Sequence, residues 1–132
     1  MSETDGSTKP FSLLARIRSF GYAFAGIGFM LRTQHNAWVH LAASVIVVAA
    51  GLGLRVDVSD WRWLIAAMLI VWAAEAFNTA VEYVCDMVSP GYSELVKHAK
   101  DVAAGAVLIS AIGAALIGAL TFWPYLTPLL TR

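Results

Sequence analysis

The stretch WLIAAMLIVWAAEAFNTAVEYVCDMV, residues 63–88, decides how this chain folds. From Trp63 to Ala74 it is apolar without interruption; Glu75, Asn78, Thr79, Glu82 and Asp86 then appear on the same apolar background. No helix breaker occurs before Pro90-Gly91, so one helix can run from about Asp60 to Val88. At 1.5 Å per residue such a helix is about 40 Å long, against a bilayer core of about 30 Å. It is long enough to cross a membrane and to project into the headgroups.

The composition of the whole chain agrees. Of 132 residues, 59% are hydrophobic and 14% charged, whereas soluble domains carry roughly 45–50% apolar and about 25% charged residues. The length suits one domain, over 11–132. Zero formal net charge excludes nucleic acid as an expected partner. A single cysteine, Cys85, excludes an intrachain disulfide and a multi-cysteine metal cluster, and reads as a small buried apolar residue. No cleavable signal sequence is recognisable, and the polar residues 1–10 read as a disordered tail.

Outward from the central helix, Trp38 to Leu54 is broken only by His40 and Ser44 and makes a first span over 38–54. The polar residues from Arg55 to Arg62 form a short turn, and the second span covers 63–88. Ser89 to Lys97 reads as a polar loop. The third span covers 102–123 and is expected to stop at Pro124, with Trp123 and Tyr125 at its far interface. Phe11 to Leu31 mixes Leu14, Ile17 and Phe20 at helical spacing with Arg16 and Arg18, as an amphipathic helix on the membrane surface does. A short re-entrant or buried helix is the alternative there, because Tyr22 to Leu31 is nearly all apolar. The expected fold is therefore all-α: a surface helix followed by three transmembrane helices. Three slender helices leave little interior, so oligomerisation is a natural way to shelter polar groups.

Lys9, Arg16, Arg18, Arg32, Lys97 and Lys100 fall on one side of the membrane in this scheme, and Arg55, Arg62 and Arg132 on the other. The positive-inside rule then puts the N-terminus in the cytoplasm.

At about 100° per residue, Glu82 and Asp86 each lie about 20° from Glu75 around the helix, and Asn78 within about 60°. One stripe thus holds three carboxylates and an amide. A carboxylate at mid-membrane costs about 2.5–3.5 kcal/mol on the insertion scale, so the stripe should face a helix, a cleft or an ion rather than lipid. Polar glue between helices is the plain reading. Three acids repel one another, however, and a divalent cation or Lys100 would relieve them. Lys100-Asp101 can be a solvated helix start, with Asp101 favoured by the helix dipole; beside the stripe, it can also form part of a site. Carboxylates with a lysine at the membrane edge suit metal-assisted phosphoryl transfer to a lipid alcohol. The chain has no G-x-x-x-x-G-K-[ST] loop, and Gly26-Ile27-Gly28 lacks a phosphate-loop context. Spacing alone leaves kinase, transporter and channel open.

The run Glu75-Ala76-Phe77-Asn78-Thr79-Ala80-Val81-Glu82-Tyr83-Val84-Cys85-Asp86 resembles the E-x-x-N-[ST]-A-[IV]-E-x-x-x-D signature of the prokaryotic diacylglycerol kinase family, which includes undecaprenol kinases. Ser89-Pro90-Gly91-Tyr92, with Lys97 and Lys100-Asp101-Val102-Ala103-Ala104-Gly105-Ala106-Val107, is similar to its second block and looks more like the undecaprenol kinase branch. Ser19-Phe20-Gly21-Tyr22-Ala23-Phe24-Ala25-Gly26 resembles its N-terminal block. The likeness covers about Arg16 to Trp123. It implies an ATP- and Mg²⁺-dependent lipid kinase of the bacterial cytoplasmic membrane, acting on diacylglycerol or undecaprenol. It also implies a homotrimer with active sites between subunits at the cytoplasmic interface. By the same resemblance Glu75 is the catalytic base, Asn78 organises the site and Glu82 binds the metal. Lys100 and Asp101 contact ATP, Tyr22 lies in the nucleotide region, and Arg16 or Arg18 is its N-terminal arginine. Asp86 supports the stripe. One position departs from the pattern: where the family has a second metal-binding Glu, this chain has Gln34, followed by His35 and Asn36. A neutral amide is a weaker ligand for a hard cation. A weakened or scaffolding member of the family, or a small ion or solute pathway, is the alternative. His40 completes an Asn-x-x-x-His pattern with Asn36 and is either a site residue or a helix-start hydrogen-bonding group.

Overall fold

The computed structural model describes residues 12–130. The tail expected over 1–10 and Arg132 of the charge count lie outside the described residues. The chain forms four helices in sequence: α1 (Leu13–Thr33), α2 (His35–Gly53), α3 (Val58–Val88) and α4 (Glu94–Leu130). The last three are long and apolar enough to cross a membrane.

Local chemistry sets the boundaries. Ser12 caps α1, its side chain accepting the Ala15 N–H at 3.3 Å, which satisfies a donor that the helix start leaves without a partner. A single residue, Gln34, separates α1 from α2. Its backbone is extended (φ −106°, ψ 116°) and turns the chain, while its side chain makes no capping bond. At the far end of α2, the Val56 N–H reaches Gly51 C=O (3.0 Å) and the Arg55 N–H reaches Leu52 C=O (3.2 Å). These are the two bonds of a Schellman turn. The left-handed position of that turn is held by Arg55 (φ 54°), without the glycine usual there. Gly51, one turn earlier, is packed by the Trp61 ring: a Cβ there would stand 2.7 Å from two ring carbons.

α3 supplies the core. Leu64, Ala67 and Val71 are buried at spacings of three and four residues, and the same face continues through Glu75 and Asn78. The acidic stripe is thus the polar continuation of a hydrophobic seam. α3 packs most extensively on α4, more sparingly on α2, and α1 touches α2 and α3. The end of α1 rests on α3, with Phe29 and Tyr83 at a ring separation of 5.1 Å. Between α2, α3 and α4 runs an apolar groove of about 450 Å³, lined among others by His40, Ser44, Ala50, Ala115 and Phe122.

Three expectations need correction. The turn expected over Arg55 to Arg62 is shorter, because α3 begins at Val58. The loop of Ser89 to Lys97 is shorter, because α4 begins at Glu94, with the Lys97 N–H bonded to Ser93 C=O at 2.9 Å; an acid in the first turn of a helix is favoured by its dipole. Pro124 does not end the last helix, which passes through Pro124 and Pro128 to Leu130. Proline is tolerated in spanning helices, where neighbouring groups satisfy the freed carbonyl. The Thr127 hydroxyl donates to Pro124 C=O at 3.3 Å, within this segment. Tyr125 then fastens the end of α4 to the α2–α3 turn. Its hydroxyl donates to Asp60 Oδ2 at 2.7 Å and accepts the Asp57 N–H at 3.1 Å.

Candidate functional site: a carboxylate stripe from core to rim

Glu75 is fully buried (0% exposed) and Asn78 nearly so (4%). The Glu75 carboxylate faces His40 of α2, Oε2 to Nε2 at 3.7 Å. Neither Glu75 oxygen, nor His40 Nε2, nor Asn78 Oδ1 has a hydrogen-bond partner among the described residues. Buried polar groups are nearly always paired, so four such atoms in one place single this cluster out as a candidate site. Thr79 is also buried and donates to Glu75 C=O at 2.9 Å, a bond within the helix.

Two helical turns further, Glu82 is half-buried and well supplied with donors. Gln34 Nε2 reaches Glu82 Oε2 at 3.0 Å, and Asn78 Nδ2 reaches Oε1 at 3.2 Å. The bend at Gln34 delivers the first of these, because the extended residue between α1 and α2 directs its side chain at α3. Asp86 stands at the rim with its side chain 63% exposed and pairs with Lys100 of α4. Asp101 pairs instead with Lys97, one turn back in its own helix, at 2.7 Å. Such an exposed pair in high dielectric is weak and gives way readily to a charged ligand.

The residues singled out in the sequence therefore separate into three groups. Glu75, Asn78, Glu82 and Gln34 form one contiguous cluster. Asp86 and Lys100 close its outer end, with Asp101 turned to Lys97. Arg16 and Tyr22 lie on α1, and Tyr22 is 75% exposed, about 18 Å along the helix from Gln34. His40 emerges as a polar neighbour of the Glu75 carboxylate. Its brace was not read in the sequence: Trp72 Nε1 donates to Ser44 Oγ (3.1 Å), which donates to His40 C=O (2.8 Å). Trp72, three residues before Glu75, was apolar filling by pattern, and only the packing of α2 on α3 reveals its indole N–H as a donor.

The donor set can be tested against a divalent cation. Among the described residues no group of three or more His, Cys, Asp or Glu side chains is placed to hold a metal ion, which rules out an all-protein cage of that kind within them. Mg²⁺ is commonly held by one or two carboxylates together with substrate phosphates. The Glu82 carboxylate, with the vacant Asn78 Oδ1 and the Gln34 amide beside it, fits that second manner of binding.

A buried carboxylate on a spanning helix, a cation-compatible acid above it and a lysine at the rim define a membrane-embedded helical protein with a polar site near one end. The chain belongs to the prokaryotic diacylglycerol kinase family, whose profile matches residues 21–122, and it is a multi-pass membrane protein. It is 39% identical over 113 residues to a diacylglycerol kinase of Synechocystis, covering 85% of this chain and 65% of that protein. The chain thus spans a little under two thirds of that relative's length. It is 38% identical over 111 residues to an undecaprenol kinase of Bacillus subtilis, covering 83% of this chain and 89% of that protein. To a diacylglycerol kinase of Escherichia coli it is 29% identical over 116 residues, covering 83% and 89%.

Proposed function

We propose that the protein transfers the γ-phosphate of ATP to the hydroxyl of a membrane lipid alcohol, diacylglycerol or undecaprenol, at the cytoplasmic face of the membrane. The observation that carries this reading is the buried Glu75 carboxylate, with both oxygens unpartnered among the described residues, two helical turns below an acid that gathers two amides. Relatives at similar identity bear both names, diacylglycerol kinase and undecaprenol kinase, so both lipids stay in the proposal.

In this reading Glu75 accepts the proton as the lipid O–H bond breaks. The lipid oxygen forms its bond to the γ-phosphorus, and the bond from that phosphorus to the β,γ-bridging oxygen breaks, so ADP leaves with the electron pair. The proton on Glu75 is later released to water. Glu82, with Asn78 and Gln34, would hold Mg²⁺, which neutralises phosphate charge when bound. Lys100, freed from Asp86, meets a phosphate as a point charge, and Asp101 lies beside it for further nucleotide contact. Arg16 and Tyr22 of α1 bind nucleotide in an adjoining subunit of a homotrimer; the distance along α1 between Tyr22 and Gln34 supports this placing. The loop charges support a cytoplasmic N-terminus.

Purified protein in mixed micelles, given labelled ATP and Mg²⁺, is expected to phosphorylate one or both lipids. Glu75→Gln should lower turnover by about 10²–10⁴-fold, the usual worth of a general base, with assembly intact. A properly assembled wild type that labels neither lipid overturns the activity, and a fully active Glu75→Gln variant overturns the role of Glu75. The bond from Gln34 to Glu82 favours one second reading, a nucleotide-binding but slow member of the family. Nucleotide binding without lipid phosphorylation is its signature.

A further inference from the structure

We infer that His40 is the positioning residue for Glu75: its Nε2–H donates to Glu75 Oε2 in the loaded site and leaves Oε1 directed at the lipid hydroxyl. This rests on the reading of Glu75 as the base. Three observations on two helices carry it. The His40 and Glu75 side chains approach to 3.7 Å, both well buried. Among the described residues the facing atoms, Nε2 and Oε2, have no hydrogen-bond partner, and neither has Oε1. The imidazole is also held from behind, edge-on to the Trp72 ring at 6.5 Å, while the Trp72–Ser44–His40 chain ties the two helices together at that level.

A separation of 3.7 Å is too long for a hydrogen bond, and a shift of under about 1 Å makes one. Contacts of this kind in an empty site commonly tighten when substrate arrives. The imidazole can supply the proton either as its neutral Nε2–H form or as the imidazolium, so the role does not depend on His40 changing charge. The consequence is geometric. With Oε2 anchored, the carboxyl plane is fixed and Oε1 alone is free to take a proton. A base oriented by a third group is a recurring device of activated sites. Without the anchor the carboxylate of Glu75 can rotate about its terminal torsion, and misplacement by about 1 Å can cost about 10²-fold in rate.

The test compares wild type, His40→Leu and His40→Gln in the micelle assay, with kcat and KM measured for MgATP and for lipid. His40→Leu is expected to lower kcat about 10²-fold, leaving KM for MgATP unchanged. His40→Gln, which restores an N–H at a similar reach, should recover kcat to within about tenfold of wild type. In a Glu75→Gln background, His40→Leu should cause no further loss, because residues acting as a unit are not additive. Should His40→Leu fail to assemble, Ser44→Ala carries the test instead. It loosens the brace while keeping the imidazole, and is expected to lower kcat severalfold at constant KM for MgATP. In an active wild type, a kcat that survives His40→Leu, or Ser44→Ala where the leucine variant does not assemble, overturns this inference alone, as does a glutamine variant as slow as the leucine one. A wild type without kinase activity overturns the functional reading and this inference with it.

Discussion

Glu75 and Glu82 lie on one face of α3 and meet opposite surroundings. Glu75 is enclosed and has no donor among the described residues, whereas Glu82 is reached by two amides. That asymmetry suits different tasks: the acid without partners can receive a substrate group, and the acid among amides can take part in holding a cation. Gln34 sets the second environment, and Gln34→Glu tests it. The variant would set two carboxylates at the present 3.0 Å contact, where like charges repel unless a cation lies between them. If the proposed metal site is right, the Mg²⁺ concentration for half-maximal turnover should fall by about tenfold, equivalent to about 1.4 kcal/mol of tighter binding. The thermal midpoint should also drop in chelator and recover in Mg²⁺. Turnover with unchanged Mg²⁺ dependence would remove Gln34 from the metal site.

At the scale of elements, the turn between α2 and α3 is closely specified by its bonds and packing. Gly51 accepts the Trp61 ring where a Cβ would stand 2.7 Å from it. Gly51→Ala should therefore displace the ring and cost about 1–3 kcal/mol, the usual range for overpacking, read as a lower midpoint in denaturant or heat. An unchanged midpoint would mean the indole swings aside freely. The same joint shows how much could be read in advance. That a polar turn separates the two helices was legible, though not its length, since α3 takes in residues 58–62 of the expected Arg55–Arg62 stretch; the stripe on α3 was legible from the fixed helical period. The Schellman bonds were not, since Arg55 occupies a position that glycine usually announces. The contacts of His40 with Glu75, Gln34 with Glu82 and Tyr125 with Asp60 join distant parts of the chain, and single-helix periodicity carries no information about them. Pro124 misled because the rule against helix-interior proline is a rule for water-exposed helices.

At the scale of the whole molecule, Glu75, Glu82, Asp86 and Lys100 are gathered by one chain through α3 and α4, while Tyr22 lies well down α1. If sites form between subunits of a trimer, Glu75→Gln chains mixed with Arg16→Ala chains should regain about one quarter of wild-type activity, by random assembly of complementary partners. Glu75→Gln mixed with Lys100→Met should regain none. Absence of recovery in the first mixture would place α1 in its own chain's site. Burial along the stripe falls from complete at Glu75 to slight at Asp86, and its run of carboxylates gives the proposed reaction a direction. In the proposed reaction a neutral alcohol would come to Glu75, and the phosphate ester made from it would add negative charge beside Glu75 and Glu82. Repulsion between like charges would make the product less welcome than the substrate at the same carboxylates and favour its return to the surrounding lipid.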